Sequence, residues 1–151
     1  MLWKSFCSKI QYNFADDIDL DLSEHKDLIK KVLSNNGLPI VKIKETNRVE
    51  VYGNEYVASE FVAIEVAKGK KEGMPIFGKI MNIFLTDEKA LLLCEEWPSE
   101  KLKESLNAYC IKEGNKIRLI DADDLADPKP YTIWPDNVSD GDYICLHYVL
   151  L

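Results

Sequence analysis

The strongest constraint on the fold is residues 73–93, in which two apolar runs meet at a tight polar turn. The first run, residues 76–85, is apolar on both faces of an extended chain, and residues 90–94 match it after the turn at residues 86–89. A strand that is apolar on both faces has to be covered on both faces. The sequence therefore predicts a buried central hairpin, in which Gly78 leaves space for a bulky side chain or another backbone.

One helix is predicted at residues 23–36. Ser23 is a suitable N-cap, and Asn36 followed by Gly37 is a typical helix end. The apolar residues between them form a single stripe at helical spacing: Leu28, Ile29, Val32 and Leu33. The predicted fold class is therefore mainly β with minor α, an antiparallel β-barrel or strongly curved sheet with this N-terminal helix packed on it.

Runs of β-branched and aromatic residues between turn residues predict the remaining elements. These are a hairpin turn at Asn47-Arg48, a long strand at residues 56–67, one helical turn at residues 99–104, a helical turn at residues 121–128, an edge strand at residues 130–135 and a closing strand at residues 143–151. A chain of 151 residues fits one structural domain. In it, an N-terminal arm and helix (1–37) would pack on a barrel-like body (38–151).

Charge limits the partners that the chain can bind, and the distribution of apolar residues limits its location. The net charge is −7, and an acidic surface repels phosphate backbones, so nucleic-acid binding by this domain alone is disfavoured. No apolar run approaches the roughly 18 residues of a membrane span, and the start of the chain has no signal-peptide pattern. We therefore expect an intracellular protein of the nucleus or cytoplasm, with no membrane contact.

The sequence predicts no catalytic residues, no cofactor and no metal site. The only histidines are His25 and His147. Cys145 and His147 share a strand face, but residues two apart on a strand are roughly 6 to 7 Å apart, which is too far for a nucleophile and its base. The four cysteines do not have zinc-site spacing, and the acidic runs lack the glycine and glutamate of a calcium loop. An uncharacterised hydrolase-like enzyme is the least favoured class.

Acidic and aromatic residues supply the candidate binding surface. The acidic runs at residues 16–24 and 121–127 would face a basic partner, and the exposed edges are predicted at the N-terminal arm and residues 130–134. The candidate partner-binding residues are Trp97, Tyr131, Trp134, Asp121, Asp123 and Asp124. The leading hypothesis is a non-catalytic domain with an acidic surface that binds another protein or associates with itself. Self-association would make it a homo-oligomer. The alternative is a chromatin-type reader whose aromatic residues form a cage for a modified or basic peptide; packing in the core is the competing interpretation of these aromatics.

Six sequence segments carry a family resemblance. They are V-Y-G-N-E-Y at residues 51–56, G-M-P-I-F-G-K-I-M-N-I-F at residues 73–84, the apolar strand at residues 90–94, L-N-A-Y at residues 106–109, D-D-L-A-D-P-K-P-Y at residues 123–131 and Y-I-C-L-H-Y-V-L at residues 143–150. This pattern resembles the C-terminal β domain of uncharacterised, transposon-related, multi-copy animal proteins. More weakly, P-I-F-G-K-I at residues 75–80 is similar to a strand of the bromo-adjacent homology (BAH) barrel. The first resemblance implies a terminal β domain of unassigned function without catalytic residues, and the second implies a β-barrel.

Overall fold

The structure is a computed structural model. It describes residues 9–19, 22–35, 43–66, 74–86, 89–103, 108–131, 133–136 and 141–145. Its elements, in chain order, are β1 (Ile10–Gln11), β2 (Asp16–Ile18), α1 (Lys26–Asn35), β3 (Ile43–Thr46), β4 (Arg48–Val51), β5 (Asn54–Val57), β6 (Phe61–Val66), β7 (Pro75–Leu85), β8 (Ala90–Lys103), β9 (Ala108–Ile111), β10 (Ile117–Asp121), a 3-10 turn (Ala122–Asp124), β11 (Asp127–Tyr131), β12 (Ile133–Asp136) and β13 (Gly141–Cys145).

The two longest strands, β7 and β8, form the central hairpin that the sequence predicts. They pair antiparallel from Leu85 opposite Ala90 to Ile76 opposite Pro98. Thr86 closes the turn, because its N–H donates to the Lys89 carbonyl at 2.9 Å and its hydroxyl accepts from the Lys89 N–H at 3.0 Å. The hairpin therefore provides the framework to which the other strands add.

Each of the two long strands pairs, along its outer edge, with two short strands in succession. Along β7 these are β6 and then β3, and along β8 they are β10 and then β9. The ladder extends from β6 to β11 on one side and from β9 to β13 and β12 on the other, while β1, β4 and β5 form a separate three-stranded sheet. All of these pairings are antiparallel.

Apolar side chains cover the hairpin on both faces. On one face it packs against the three-stranded sheet, in a cluster that includes Val49, Val51, Tyr56, Ile80, Ile83 and Leu92. On the other face α1 buries Ile29 and Leu33 against Phe84, Leu91 and Leu93. A third cluster, rich in aromatic rings, lies between β6, β7, β8 and the C-terminal strands. These contacts confirm the predicted fold class, a mainly β protein with one helix packed on antiparallel sheets.

Closure into a barrel stays a prediction, because the strand ladder of the described residues does not close on itself. The helix begins later than predicted, at Lys26, and in the turn that precedes it the Ser23 hydroxyl accepts the N–H of His25 at 3.2 Å. Asn36, Gly37 and the loop at residues 68–73 lie outside the described residues.

Two of the predicted turns are wrong. Residues 99–103 do not form a helical turn but continue β8, because they pair with β9 up to Lys103 opposite Ala108. At the predicted hairpin turn, Asn47-Arg48, the chain instead crosses from the large sheet to the three-stranded sheet. β3 pairs with β7 of the large sheet, and β4 pairs with β5 of the three-stranded sheet. The hairpin turn lies at Tyr52-Gly53, where both residues have the positive φ that a two-residue hairpin turn of type I′ requires.

Two of the predicted long strands are each divided. Ser59, with φ 79°, separates β5 from β6 in the segment predicted as one strand at residues 56–67. The predicted edge strand at residues 130–135 is divided between β11, which pairs with β6, and β12, which pairs with β13. The predicted helical turn at residues 121–128 is a 3-10 turn that ends at Asp124, and β11 follows it.

Candidate interaction surface

The most exposed large apolar side chain of the described residues belongs to Phe14, which is 87% exposed. It lies in residues 9–19, which we call the N-terminal arm. Tyr12, in the same segment, is 43% exposed. Large exposed apolar groups that lie together often mark an interaction site, whereas scattered single ones need no explanation. These two rings are separated by one residue, so the arm is the first candidate surface.

The backbone of the arm is held on both sides of Phe14. Upstream, β1 pairs with β4, and the N–H of Tyr52 donates to the Lys9 carbonyl at 2.8 Å. Downstream, β2 pairs with β3. At Phe14 itself, the carbonyl accepts the buried Thr46 hydroxyl at 2.6 Å. The exposed ring is therefore carried by an ordered backbone, which reduces the entropy that binding would cost.

Acidic residues follow the aromatic residues of the arm in sequence. Asp16, Asp17 and Asp19 are exposed. Asp16 lies directly opposite Glu45 in the β2–β3 ladder, and like charges in that position repel each other. One cation is close, because Lys44 lies directly opposite Asp17 in the same ladder and its ammonium lies 5.8 Å from the centre of the Tyr12 ring. The arm therefore carries two exposed aromatic rings followed by a mainly acidic segment.

The second acidic run has cations of its own. The Asp121 carboxylate is buried, caps the 3-10 turn by accepting the Asp123 N–H at 2.9 Å, and lies 2.8 Å from the Lys89 ammonium. Asp123 pairs with Lys9 of the arm at 2.7 Å and lies 3.9 Å from Lys89. Asp124 is exposed and forms no ion pair with any described residue. Two of the three predicted aspartates therefore serve the fold.

The carboxylate partners of the two lysines in this cluster raise the pKa values of both lysines. The hydrogen bond to Asp121 raises the pKa of Lys89, and the hydrogen bond to Asp123 raises the pKa of Lys9. In both cases a carboxylate stabilises the charged ammonium. The pairing joins the arm, the turn of the central hairpin and the end of β10, so this cluster holds three elements together.

Two of the predicted aromatic residues lie in the core. Trp97 is 8% exposed, contacts Phe61 edge-to-face with the ring centres 5.2 Å apart, and donates its Nε1–H to Glu95 at 2.8 Å. Tyr131 is 2% exposed and contacts Phe77 with the ring centres 5.7 Å apart. A ligand could reach the faces of these rings only if core side chains moved, so the structure adds no argument for a cage. The backbone of Trp134 lies in β12, and its side chain is outside the described residues.

The two cysteines whose side chains the structure describes, Cys94 and Cys110, are buried, and buried thiols are unreactive. Burial raises the pKa of the Cys94 thiol to about 12, which disfavours its thiolate. Cys145 lies in β13 by its backbone, and His147 lies outside the described residues. Within the described ranges, no three His, Cys, Asp or Glu side chains are grouped so as to hold a metal ion. Nor does the described part of the chain contain a helix long and apolar enough to cross a membrane.

Comparison with protein-family models, with curated proteins and with solved structures finds no match to this chain. The resemblances to a transposon-related β domain and to a BAH barrel therefore stay predictions. The sequence also predicted the arm as an exposed edge, but it suggested Tyr12 and Phe14 as apolar anchors of the arm, whereas both rings are exposed. Their alternation with Gln11 and Asn13, immediately before an acidic run, is the signal that could have identified them.

Proposed function

We propose that this protein is a non-catalytic protein-interaction domain that binds its partner through the N-terminal arm. The observation that carries the proposal is the exposed Phe14 ring on an anchored backbone. Burying a phenylalanine side chain stabilises a complex by about 1.5–3 kcal/mol. Since the backbone is already ordered, little of that gain is lost to ordering the arm.

The charge of the arm favours a basic partner. Asp16 and Asp17 are exposed and follow the rings in sequence, and Asp16 lies opposite Glu45 in the ladder, so this end of the arm attracts lysine and arginine side chains. We do not assign the same role to Asp121 and Asp123, because Lys89 and Lys9 already pair with them. The Lys44 ammonium already lies over the Tyr12 ring, so we assign that ring an apolar contact with the partner and no cation–π contact.

The test is the binding of fluorescent Lys/Arg-rich peptides, measured by anisotropy against the complete chain. We expect Phe14→Ser to weaken binding by roughly tenfold or more, which corresponds to the loss of one buried aromatic ring. Asp17→Asn should weaken it less, and the loss should shrink as salt screens the charges. The matched control is Leu102→Ser, because Leu102 is 41% exposed, on β8, and lies outside the arm.

Three outcomes decide the proposal. Binding that falls with Phe14→Ser and is unchanged with Leu102→Ser supports it. Equal loss in both variants would indicate nonspecific binding to exposed apolar side chains. Binding that neither variant affects would indicate a site elsewhere. In either of the last two cases the arm is not the interaction surface.

A further inference from the structure

We propose that the partner of the arm binds as an added antiparallel β-strand, in which an extended segment of pattern apolar-x-basic-x-apolar lies along the free edge of β2. The inference rests on the proposed function, because it takes the arm as the interaction surface and a basic peptide as its ligand. It adds the conformation in which the peptide binds and the spacing of the side chains that the peptide must carry.

The edge strand of the large sheet on the side of the arm is β2. It pairs with β3 and with no other strand of the described residues. The outer edge of such a strand has N–H and C=O groups that a further strand can bind. Two other edge strands, β11 and β12, contain prolines, which cannot donate to an added strand, whereas β2 contains none. The edge of β2 is therefore open to strand addition.

The turn of the central hairpin shows how the backbone groups alternate. An antiparallel strand directs the N–H and C=O groups of one residue to one neighbouring strand, and those of the next residue to the other. Thr86 donates its N–H to the Lys89 carbonyl at 2.9 Å, so these two residues direct their backbone groups towards each other. Leu85 therefore directs its groups away from β8, to Lys44 opposite it on β3.

The same alternation leaves the backbone of Asp17 unpaired. The next residue of β3, Glu45, directs its groups to Asp16 of β2, and two residues earlier Ile43 directs its groups to Ile18. Asp16 and Ile18 therefore use their backbone groups within the sheet, and Asp17 between them directs its N–H and C=O outwards. Those two groups have no hydrogen bond to another described residue, so an added strand can bond to both.

The side chains of the arm specify what the added strand carries. Phe14, Asp16 and Ile18 are alternate residues, and alternate residues of an extended chain lie on one face. Ile18 packs against the cluster beneath α1, whereas Ala15 packs against the core cluster on the opposite face. A strand added at this edge places its own alternate side chains opposite Phe14, Asp16 and Ile18. It should therefore carry a basic residue with an apolar residue two positions away on each side.

The position opposite Asp16 requires a cation. Asp16 lies opposite Glu45, and neither carboxylate forms an ion pair within the described part of the chain. Glu45 accepts a hydrogen bond from the Asn82 amide at 2.5 Å, which does not neutralise its charge. The nearby cation, Lys44, lies opposite Asp17 on the other face. A lysine or arginine of the partner supplies the missing charge, so a basic segment is favoured over a neutral or acidic one.

Backbone N-methylation of the peptide tests the strand pairing. The probe is a fluorescent peptide with a Leu-Thr-Arg-Thr-Leu core, and its binding to the complete chain is measured by anisotropy. In the antiparallel arrangement the residue before the arginine lies opposite Asp17 and donates its N–H to the Asp17 carbonyl. N-methylation there should weaken binding by roughly two- to tenfold, the effect of one hydrogen bond. N-methylation of the arginine itself, whose N–H points away from β2, should not weaken it.

Proline at position 17 makes the complementary change in the protein. Asp17→Pro and Asp17→Ala both remove the carboxylate, but only proline also removes the N–H. Because that N–H points outwards, proline is compatible with the pairing of β2 and β3. We expect Asp17→Pro to bind the probe roughly two- to tenfold more weakly than Asp17→Ala. Hydrogen exchange of the native chain needs no substitution: the probe should slow exchange of the Asp17 N–H.

The outcomes separate the strand addition from the proposed function. Weaker binding at the first N-methylated position and not at the second supports the added strand. Equal effects at both positions, or equal affinities of Asp17→Pro and Asp17→Ala with unchanged exchange at Asp17, would overturn it. If binding then still depends on Phe14, only the strand addition is refuted. If no Lys/Arg-rich peptide binds, the proposed function and the strand addition are both refuted.

Discussion

The Lys89 ammonium lies 2.8 Å from Oδ2 of Asp121, a carboxylate whose side chain is only 5% exposed. Lys89 belongs to the turn of the central hairpin, and Asp121 ends β10 and caps the 3-10 turn. A buried carboxylate needs a compensating charge, because burial removes the hydration that stabilises it. The pair therefore fixes the hairpin turn against the end of the neighbouring strand.

Removing Lys89 should destabilise the fold. We expect Lys89→Met to lower the free energy of unfolding by about 2–3 kcal/mol, because Asp121 would keep its charge without its cation. Asp121→Asn added to Lys89→Met should recover part of the loss, since the amide oxygen can still cap the Asp123 N–H. Urea denaturation of the two single variants and the double variant gives the coupling. Glu55→Gln is the control, because its pair with Arg48 is exposed and should contribute less than about 1 kcal/mol. Additive effects of the two substitutions would contradict the pairing.

Gly78 should not tolerate a larger residue. A Cβ at this position would lie 2.5 Å from Cδ1 of Ile64 and 2.8 Å from Cβ of Cys94, and the second atom is fixed to the backbone of the paired strand β8. We expect Gly78→Ala to lower the free energy of unfolding by about 1–3 kcal/mol through overpacking. Ile64→Val in the same chain removes Cδ1 and should restore part of that loss, as measured by urea denaturation. A Gly78→Ala variant as stable as the native chain would contradict this packing.

The sequence predicts the central hairpin, the helix and the space at Gly78 because each depends on local pattern: two-sided apolar runs, a helical stripe and a small residue between large ones. It does not predict that Ser99 continues β8. The Ser99 hydroxyl donates to the Pro75 carbonyl at 2.5 Å, a contact between residues 24 positions apart, and no local propensity reports it. The same limit applies to Asp121 and Tyr131, whose acidic and aromatic character suggested a binding surface. The Lys89 ammonium and the Phe77 ring, their partners, come from distant parts of the chain, so only the fold shows that both residues are buried.

Stability should begin to fall at a lower pH than deprotonation of the lysines alone would cause. Burial raises the pKa of Cys94 from 9.0 to about 12, and that of Tyr56 from 10.0 to about 12. In both cases the folded state holds its proton when the unfolded state has lost it. Stability is therefore complete below about pH 9 and falls as pH rises towards 12, by up to about 1.4 kcal/mol per pH unit for each group.

Cys94→Ala isolates the contribution of Cys94 to this loss of stability at alkaline pH. We expect the variant to be less stable near neutral pH, because it loses a buried sulfur, but to have a flatter dependence on pH above about 9. Urea denaturation at a series of pH values from about 8 to 11 measures both effects. If the slope above pH 9 is the same in the variant and the native chain, burial does not suppress ionisation of Cys94.

Tyr131→Phe distinguishes a core role from a ligand-binding role for this residue. The Tyr131 hydroxyl donates to the buried carboxylate of Asp127, whose other oxygen accepts the Lys129 N–H at 3.0 Å, and the ring packs against Phe77. Phenylalanine keeps the ring but removes one donor to a buried charge, so we expect a loss of about 1–3 kcal/mol in the free energy of unfolding. The affinity for Lys/Arg-rich peptides, measured on the folded variant, should not change. A variant with native stability and weaker peptide binding would instead assign Tyr131 to the partner, and the aromatic-cage hypothesis would then replace the arm as the explanation of binding.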